Sequence, residues 1–513
     1  MKRLIALTLA LLMMLGLASC GSSTYVILEY DLTEMPDTLD AQFASSDSER
    51  LIVANLFEGL VRVRDDGEIE GACAEDWQIS ADGRTYTFTL RDGLLWSDGS
   101  ALTSDDFAFA LSRLFSPDSP SPYASSYSSI ENADAVLAGE AELSSLGIET
   151  PDDRTLVIRL AWADSSFLSL LAQTPAMPCS RAFFSEQKGR YGLSDDHLLT
   201  NGAFDLYSWG ASSIRLRRAE YGREETAIDG VNLNLGQDDP AARYLAGETS
   251  ACLSDAGSFP EDTAGTLIYD KSWALILNPN SEAFADRAVR AAILGALHSE
   301  TITSRIASPA ISSQGLLSPA VTVGTLSYRD TVGSVAKAAY PSDARTALQD
   351  ALEALELSRV PSATLLVADD SWGAAVGGAM QKDWQDTLSA YFNMEPLSVD
   401  ELESRVQSGE FDFALAPLSA LADDATHGLS WFVQLIGEED EAGIGSLLDT
   451  ARRQSSALSM AKALFSVEQA IVDEFLALPV YDTPSIFVCR ENLSGIRYDP
   501  ATRIVYFKDA AAS

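Results

Sequence analysis

The residues of this chain that could do chemistry are few and scattered. Ser334-Val335-Ala336-Lys337 and Ser459-Met460-Ala461-Lys462 each place a serine three positions before a lysine. That is the spacing of the nucleophile and its neighbouring amine in penicillin-recognising serine enzymes. The accompanying S-D-N and K-T-G strings are missing, and a serine-rich chain produces S-x-x-K by chance. Lys462 also falls on the polar side of an amphipathic stretch. No G-x-S-x-G elbow and no H-E-x-x-H occurs. His197, His298 and His427 sit in unrelated segments, leaving little for a metal site or an acid–base relay. Carboxylate pairs such as Asp105-Asp106 and Asp423-Asp424 are ordinary in an acidic chain. The expectation is a protein that is not an enzyme and that needs no metal or cofactor.

One thiol is placed for modification. Lys2 and Arg3 precede an uncharged, mainly apolar run from Leu4 to Leu15, and the segment ends Leu17-Ala18-Ser19-Cys20. A short basic region, an apolar core too short to span comfortably and small residues before a cysteine make an export signal. The ending resembles a bacterial lipobox, whose cysteine accepts a diacylglyceryl group and becomes the first residue after cleavage. Residues 1–19 are therefore expected to be a lipoprotein signal peptide, with Cys20 lipidated. The protein would sit outside the cytoplasm, on the outer face of the membrane or in a periplasm, held by lipid.

The 513 residues exceed what one core usually supports, so two or three domains are expected. Net charge is −40. Such a surface repels phosphate backbones and anionic headgroups, which argues against nucleic acid and leaves membrane attachment to acyl chains. The same charge keeps a solvated chain monomeric. Cys73, Cys179, Cys252 and Cys489 lie far apart without a C-x-x-C pair, so two disulfides or four buried thiols fit equally well.

The elements that must position a site read as α/β. Tyr25 to Leu28 is a buried-strand run, and Thr85 to Leu90 and Thr155 to Leu160 alternate apolar and polar residues as half-buried strands do. Thr103 with Asp106 forms a capping box ahead of Phe107, Leu111 and Leu114 at helical spacing. Val289, Ile293 and Leu297 mark another helical face, and Ser398 with Glu401 caps a third helix. Phe411 to Leu415 reads as a strand. Ala461, Leu464, Phe465, Ile471, Val472 and Phe475 line the buried side of a long helix. Strands interleaved with helices imply α/β architecture in more than one domain.

Several segments, in order, resemble the extracellular solute-binding proteins of family 5, which serve oligopeptide and dipeptide ABC importers. Leu39-Asp40 followed by residues 48–67 (SERLIVANLFEGLVRVRDDG) is similar to the family's opening. Ala74-Glu75-Asp76-Trp77, then residues 81–93 (ADGRTYTFTLRDG), resembles its "A-E-S-W … D-G-x-T-Y-x-F-x-L-R-x-G" signature. Trp96-Ser97-Asp98-Gly99 with residues 102–107, the SPYASSY string at 121–127 and Thr200-Asn201-Gly202-Ala203-Phe204 before Trp209 extend the resemblance. Residues 284–302, Ser408-Gly409-Glu410-Phe411-Asp412 and Leu478-Pro479-Val480-Tyr481 are similar to later landmarks.

The resemblance implies a type II periplasmic-binding-protein fold, two α/β lobes joined by two crossing strands near 271–280 and 480–488. Lobe one would comprise 20–60, 171–275 and 486–513, with an inserted sub-domain at 61–170, and lobe two 276–485. It implies a solute-binding subunit of an ABC importer, with peptides as the expected ligand and permease subunits as partners. A non-peptide solute (oligosaccharide, opine or metal chelate) and an orphan sensor or chaperone of the same fold stay open.

By the same resemblance, Ser45, Ser46 and Asp47 would run beside the ligand backbone. Tyr123 and Tyr127 would line the cleft, and Trp273 would stand on its floor. One departure bears on specificity. Peptide-binding members carry a "W-x-x-D-Y-x-x-P" string whose Asp pairs with the peptide amino terminus, whereas residues 418–425 read LSALADDA. Asp423 or Asp424 is left to neutralise an ammonium there.

Overall fold

A computed structural model describes residues 25–513, except 65–66, 237–238, 261, 325, 419–424, 438–439, 441, 455 and 501. The signal segment, Cys20, Asp423 and Asp424 lie outside the described residues.

The chain builds two large hydrophobic cores, the mark of two lobes. The first gathers around a four-stranded sheet whose spatial order is Ile27–Leu32, Gly230–Leu235, Ser213–Arg218, Phe204–Trp209. Its first two strands are parallel and the rest antiparallel. Period-two alternation sends Leu28, Tyr30, Val231, Leu233, Ile214 and Leu216 inward. Helix Asp47–Leu56 starts at a capping box, Ser46 accepting from Glu49 N while Glu49 accepts from Ser46 N, and it buries Leu51, Ile52 and Leu56. The chain's end returns here: Asn55 Nδ2 donates to Val505 O at 2.8 Å, and Phe507 N donates to Asn55 Oδ1 at 2.9 Å.

A second antiparallel sheet joins this core, in the order Ala74–Ile79, Thr85–Leu90, Thr155–Arg159, Ile148–Asp152. Phe88, Leu156 and Ile158 are fully buried there, as are Phe107 and Leu111 of helix Ser104–Arg113.

The second core surrounds a mixed sheet in the order Ala251–Asp255, Ala477–Cys489, Thr266–Leu277, Phe413–Pro417, Thr364–Ala368, Asn393–Leu397. Phe413 contacts the rings of Phe284, Trp384 and Phe392 at its centre. Helices Arg287–Gly295, Ser371–Leu388 and Ala457–Asp473 present buried faces to this core.

The two longest strands, Thr266–Leu277 and Ala477–Cys489, pass from one core to the other as an antiparallel pair. Ile268 and Phe487 pack with lobe one, while Trp273 to Leu277 and Ala477 to Tyr481 belong to lobe two. The pairing breaks register twice, between Ile268/Lys271 and between Trp273/Ala274. Pro484 stands in the first break and Pro479 at the second. Proline has no N–H to give a ladder, so each break falls where a backbone bond is missing from the sequence itself. At the changeover the carboxylates are buried and held by hydroxyls. Asp270 accepts from Ser485 Oγ at 3.0 Å, and Asp482 accepts from Ser272 Oγ at 2.7 Å. Burial pushes the Asp482 carboxyl up to about 6.

Candidate functional site

Between the lobes lies a cavity of about 1560 Å³, larger than the roughly 300–1,000 Å³ that encloses a drug-sized ligand. Lobe one and its added sheet supply residues between Asn55 and Arg62, the serines within and just after the short turn Ala124–Tyr127, residues between Trp162 and Gln173, and the C-terminal return from Arg497 to Asp509. Lobe two supplies Ala320 to Gly324, Thr426, Ser430 and Gln434 of helix Ala425–Ile436, and Leu448, Asp449 and Arg452 of helix Ile444–Arg452. Thr266, at the start of one crossing strand, also reaches the wall.

Several charges on the lobe-one wall are paired. Arg62 Nε donates to Glu70 Oε1 at 2.6 Å, and Arg62 Nη1 is 3.0 Å from Glu224 Oε1. Lys508 Nζ reaches Glu224 Oε2 at 3.5 Å, and Arg223 donates to Glu58. Burial raises the Glu58 carboxyl despite Arg223. At Glu224 burial acts in the same upward direction, but Arg62, Arg223 and Lys508 together outweigh it and hold the carboxyl low. Elsewhere the wall is hydroxyl-rich. Ser129 Oγ and Trp162 Nε1 are buried and have no hydrogen-bond partner among the described residues. The arrangement offers hydrogen bonds and a balanced field to a polar guest.

None of Ser45, Ser46, Asp47, Tyr123, Tyr127 and Trp273 lines this cavity, and their side chains are engaged within the fold. Ser46 caps helix Asp47–Leu56, Ser45 N donates to Glu49 Oε2 at 2.8 Å, and Asp47 pairs with Arg50 at 2.5 Å and Arg503 at 3.2 Å. Tyr123 is half-buried and its hydroxyl donates to Ala44 O at 2.6 Å. Tyr127 is fully buried and its hydroxyl donates to Leu170 O at 2.7 Å. Pro122, Ser125, Ser126, Ser128 and Ser129, their sequence neighbours, line the cavity instead. Trp273 is 3% exposed, stacks on Tyr481 with ring centroids 5.4 Å apart, and donates from Nε1 to Thr483 Oγ1. Tyr123 therefore braces Ala44, directly before Ser45, and the string at 121–127 is drawn to the helix that Ser46 caps. Trp273 stands apart from them on the crossing strand.

Residues that sequence reading passed over make much of the wall: Arg62, Trp162, Asp164, Glu224, Ser430 and Arg452. Only Asp164 carries a local signal, an Asp two positions before Ser166 at a helix start. Of the two S-x-x-K strings, Ser459 N is the group that Ser456 caps and Lys462 is exposed, while Lys337 donates to Ser299.

Cys73, Cys179, Cys252 and Cys489 are free thiols, the first three buried. Among the described residues no group of three or more His, Cys, Asp or Glu is arranged to hold a metal ion, and no helix is long and apolar enough to cross a membrane.

Residues 68–436 match the model of the middle region of bacterial extracellular solute-binding proteins, family 5. The oligopeptide-binding protein OppA of Bacillus subtilis is 25% identical over 99% of this chain and 99% of its own length. The probable deoxycholate-binding periplasmic protein YgiS of Escherichia coli is 26% identical over 94% of this chain and 93% of its own. Among solved structures, peptide-bound OppA of Listeria monocytogenes superposes with a TM-score of 0.76 at 18% identity, covering 96% of this chain and 99% of that one. Haemophilus influenzae OppA in complex with RPPGFSPFR gives 0.75 at 20% identity, covering 95% and 99%. The shared architecture is the two-lobed type II fold, and proteins of this kind bind substrates rather than transform them. On the family match and the two cores joined by paired strands, the chain belongs to the bacterial extracellular solute-binding proteins of family 5.

Proposed function

We propose that this protein is the lipid-anchored, extracytoplasmic receptor of an ABC importer, and that it captures oligopeptides between its lobes for delivery to the permease. The observation that carries this reading is the cavity itself. At about 1560 Å³ it has room for several residues of extended chain. Its hydroxyls and balanced ion pairs suit peptide groups of either sign. The solute-binding family and the peptide-binding names of relatives spanning the full chain support it.

Enclosure gives the mechanism. A ligand touching both lobes favours the closed arrangement by its differential affinity, and closure signals occupancy to a partner. The proline-marked register break between Ile268 and Lys271, where the strands leave lobe one, supplies a place for the lobes to rotate with few backbone changes. Asp423 and Asp424, between strand Phe413–Pro417 and the helix that carries Ser430, are candidates for the ligand ammonium. Cys20 is the proposed lipid attachment, and the receptor acts as a monomer with the permease as its macromolecular partner.

A second reading, an amphiphilic non-peptide solute, is favoured by the full-length similarity to a probable deoxycholate-binding protein. Thermal melting separates the two. A pool of synthetic tetra- to octapeptides should raise Tm by mass action, and deoxycholate should not. A shift with deoxycholate and none with the peptides would reverse the assignment.

A further inference from the structure

The wall between Trp162 and Gln173 carries one carboxylate that the fold does not neutralise. Asp164 is 7% exposed and lines the cavity. Its Oδ1 accepts from the Ser166 backbone N–H at 2.9 Å and from the Ser166 hydroxyl at 2.6 Å. Its own carbonyl accepts from Tyr86 Oη at 3.3 Å, so backbone and side chain are both held. Oδ2 has no hydrogen-bond donor and no ion-pair partner among the described residues. Other carboxylates on this wall are matched, Glu70 by Arg62 and Glu224 by Arg62 and Lys508. Nearby, Trp162 also lines the cavity, with the Arg453 guanidinium of lobe two over its ring. Arg453 does not reach ion-pair distance of Asp164, so the carboxylate faces the cavity uncompensated. Oδ2 is therefore open to the cavity, and a guest bearing a cation would meet it with a charge-assisted hydrogen bond.

We propose that Asp164 is a cation-reading subsite of the cavity, its Oδ2 accepting a charge-assisted hydrogen bond from an ammonium or guanidinium of the ligand. The inference rests on the peptide reading above. The cation is the peptide amino terminus or a lysine or arginine side chain. Asp164 acts from the lobe-one side of the cavity. The backbone and hydroxyl of Ser166 fix where it points, so it selects position as well as charge.

Four synthetic pentapeptides test this, built of alanine and leucine around a central lysine or norleucine, each with a free or an acetylated amino terminus. Titration calorimetry with the wild-type protein should show a preference of about tenfold or more for lysine over norleucine, or for the free over the acetylated terminus. Asp164→Asn should remove that preference, and the comparison that collapses identifies the source of the cation. Its Oδ1 can keep both Ser166 bonds, so the ligand-free melting temperature should stay within a degree or so of wild type. A preference unchanged in Asp164→Asn would overturn the subsite while leaving peptide binding intact. Failure of the wild type to bind any of the four peptides would overturn the peptide reading and the subsite with it. A crystal structure with the tightest pentapeptide gives a reading independent of any variant. An ammonium nitrogen within hydrogen-bond distance of Asp164 Oδ2 supports the proposal, and one held only by other residues refutes it.

Discussion

The Arg453 guanidinium, on lobe two, lies 5.6 Å from the ring centroid of Trp162, on the lobe-one side of the cavity. Ser165 Oγ, three residues on from Trp162, is 3.5 Å from Gln454 O, the residue after Arg453. These contacts bridge the lobes without passing through the crossing strands. On the proposed closure mechanism these contacts would break as the lobes part, and so would act as a latch.

A partly exposed cation–π contact is worth about 0.5–1 kcal/mol. Arg453→Ala should therefore weaken binding of a cognate pentapeptide about two- to fivefold, with the loss in dissociation rate. The melting temperature of the ligand-free protein should hardly move. Stopped-flow dissociation checks this, and an unchanged off-rate would remove the latch from the account.

Trp162 lines the cavity, whereas Trp273 is stacked beneath Tyr481. Ligand should therefore change tryptophan emission chiefly through Trp162. Trp162→Phe is expected to lose most of the change and Trp273→Phe to keep it. The reverse pattern in titration fluorimetry would place the ligand against the crossing strand instead.

Asp482 gives stability a pH dependence at the changeover between lobes. Burial raises its carboxyl to about 6, above the ordinary value of 3.8, so the fold favours the protonated form. Its favourable contribution is fully present below about pH 4 and is lost as pH rises through about 6. Asp482→Asn, which mimics the protonated group, should exceed wild type in stability at pH 7.5 by up to about 3 kcal/mol. The gap should close near pH 4. Denaturant melts at the two pH values check this, and a gap that does not depend on pH would contradict it.

The separate cores predict separable unfolding. Phe413 is fully buried among three other aromatic rings of lobe two, so Phe413→Ala should cost about 3–5 kcal/mol. Hydrogen exchange should accelerate in strands Thr364–Ala368 and Phe413–Pro417 and stay near wild type in strands Gly230–Leu235 and Thr85–Leu90. Equal acceleration in both lobes would mean one cooperative unit.

Cys20→Ala tests anchoring. Without the thiol, protein should appear in the medium or periplasm, or persist as a precursor, because stable attachment needs two or more acyl chains. Unchanged detergent partitioning and precursor size would rule out lipidation at this residue.

Local patterning made the elements legible. Thr103 and Asp106 form the expected capping box, and Ser398 accepts from Glu401 N at 3.3 Å. Alternation located strands Thr85–Leu90 and Thr155–Arg159, and spacing located the face with Ala461, Leu464, Ile471 and Val472. Glu468, fully buried on that same helix, escaped because charge reads as surface. It is satisfied by Arg329, Tyr328 and two backbone N–H groups from distant segments. The cavity was illegible for a different reason. Trp162, Glu224, Ser430 and Lys508 are far apart in sequence and surround one cavity only when both lobes are built. Resemblance pointed to Ser46 and Tyr123, whose side chains turn to capping and bracing; of their neighbours, Ser125 and Ser126 beside Tyr123 line the cavity.

Native mass spectrometry of the protein, purified from its own host without denaturation, reads whether peptide occupies the space between the lobes. Bound masses that fragment into amino-acid residues should appear, and mild denaturant that opens the lobes should release them. A protein that consistently carries a non-peptide mass, or that stays empty and ignores an added peptide pool, would contradict peptide occupancy.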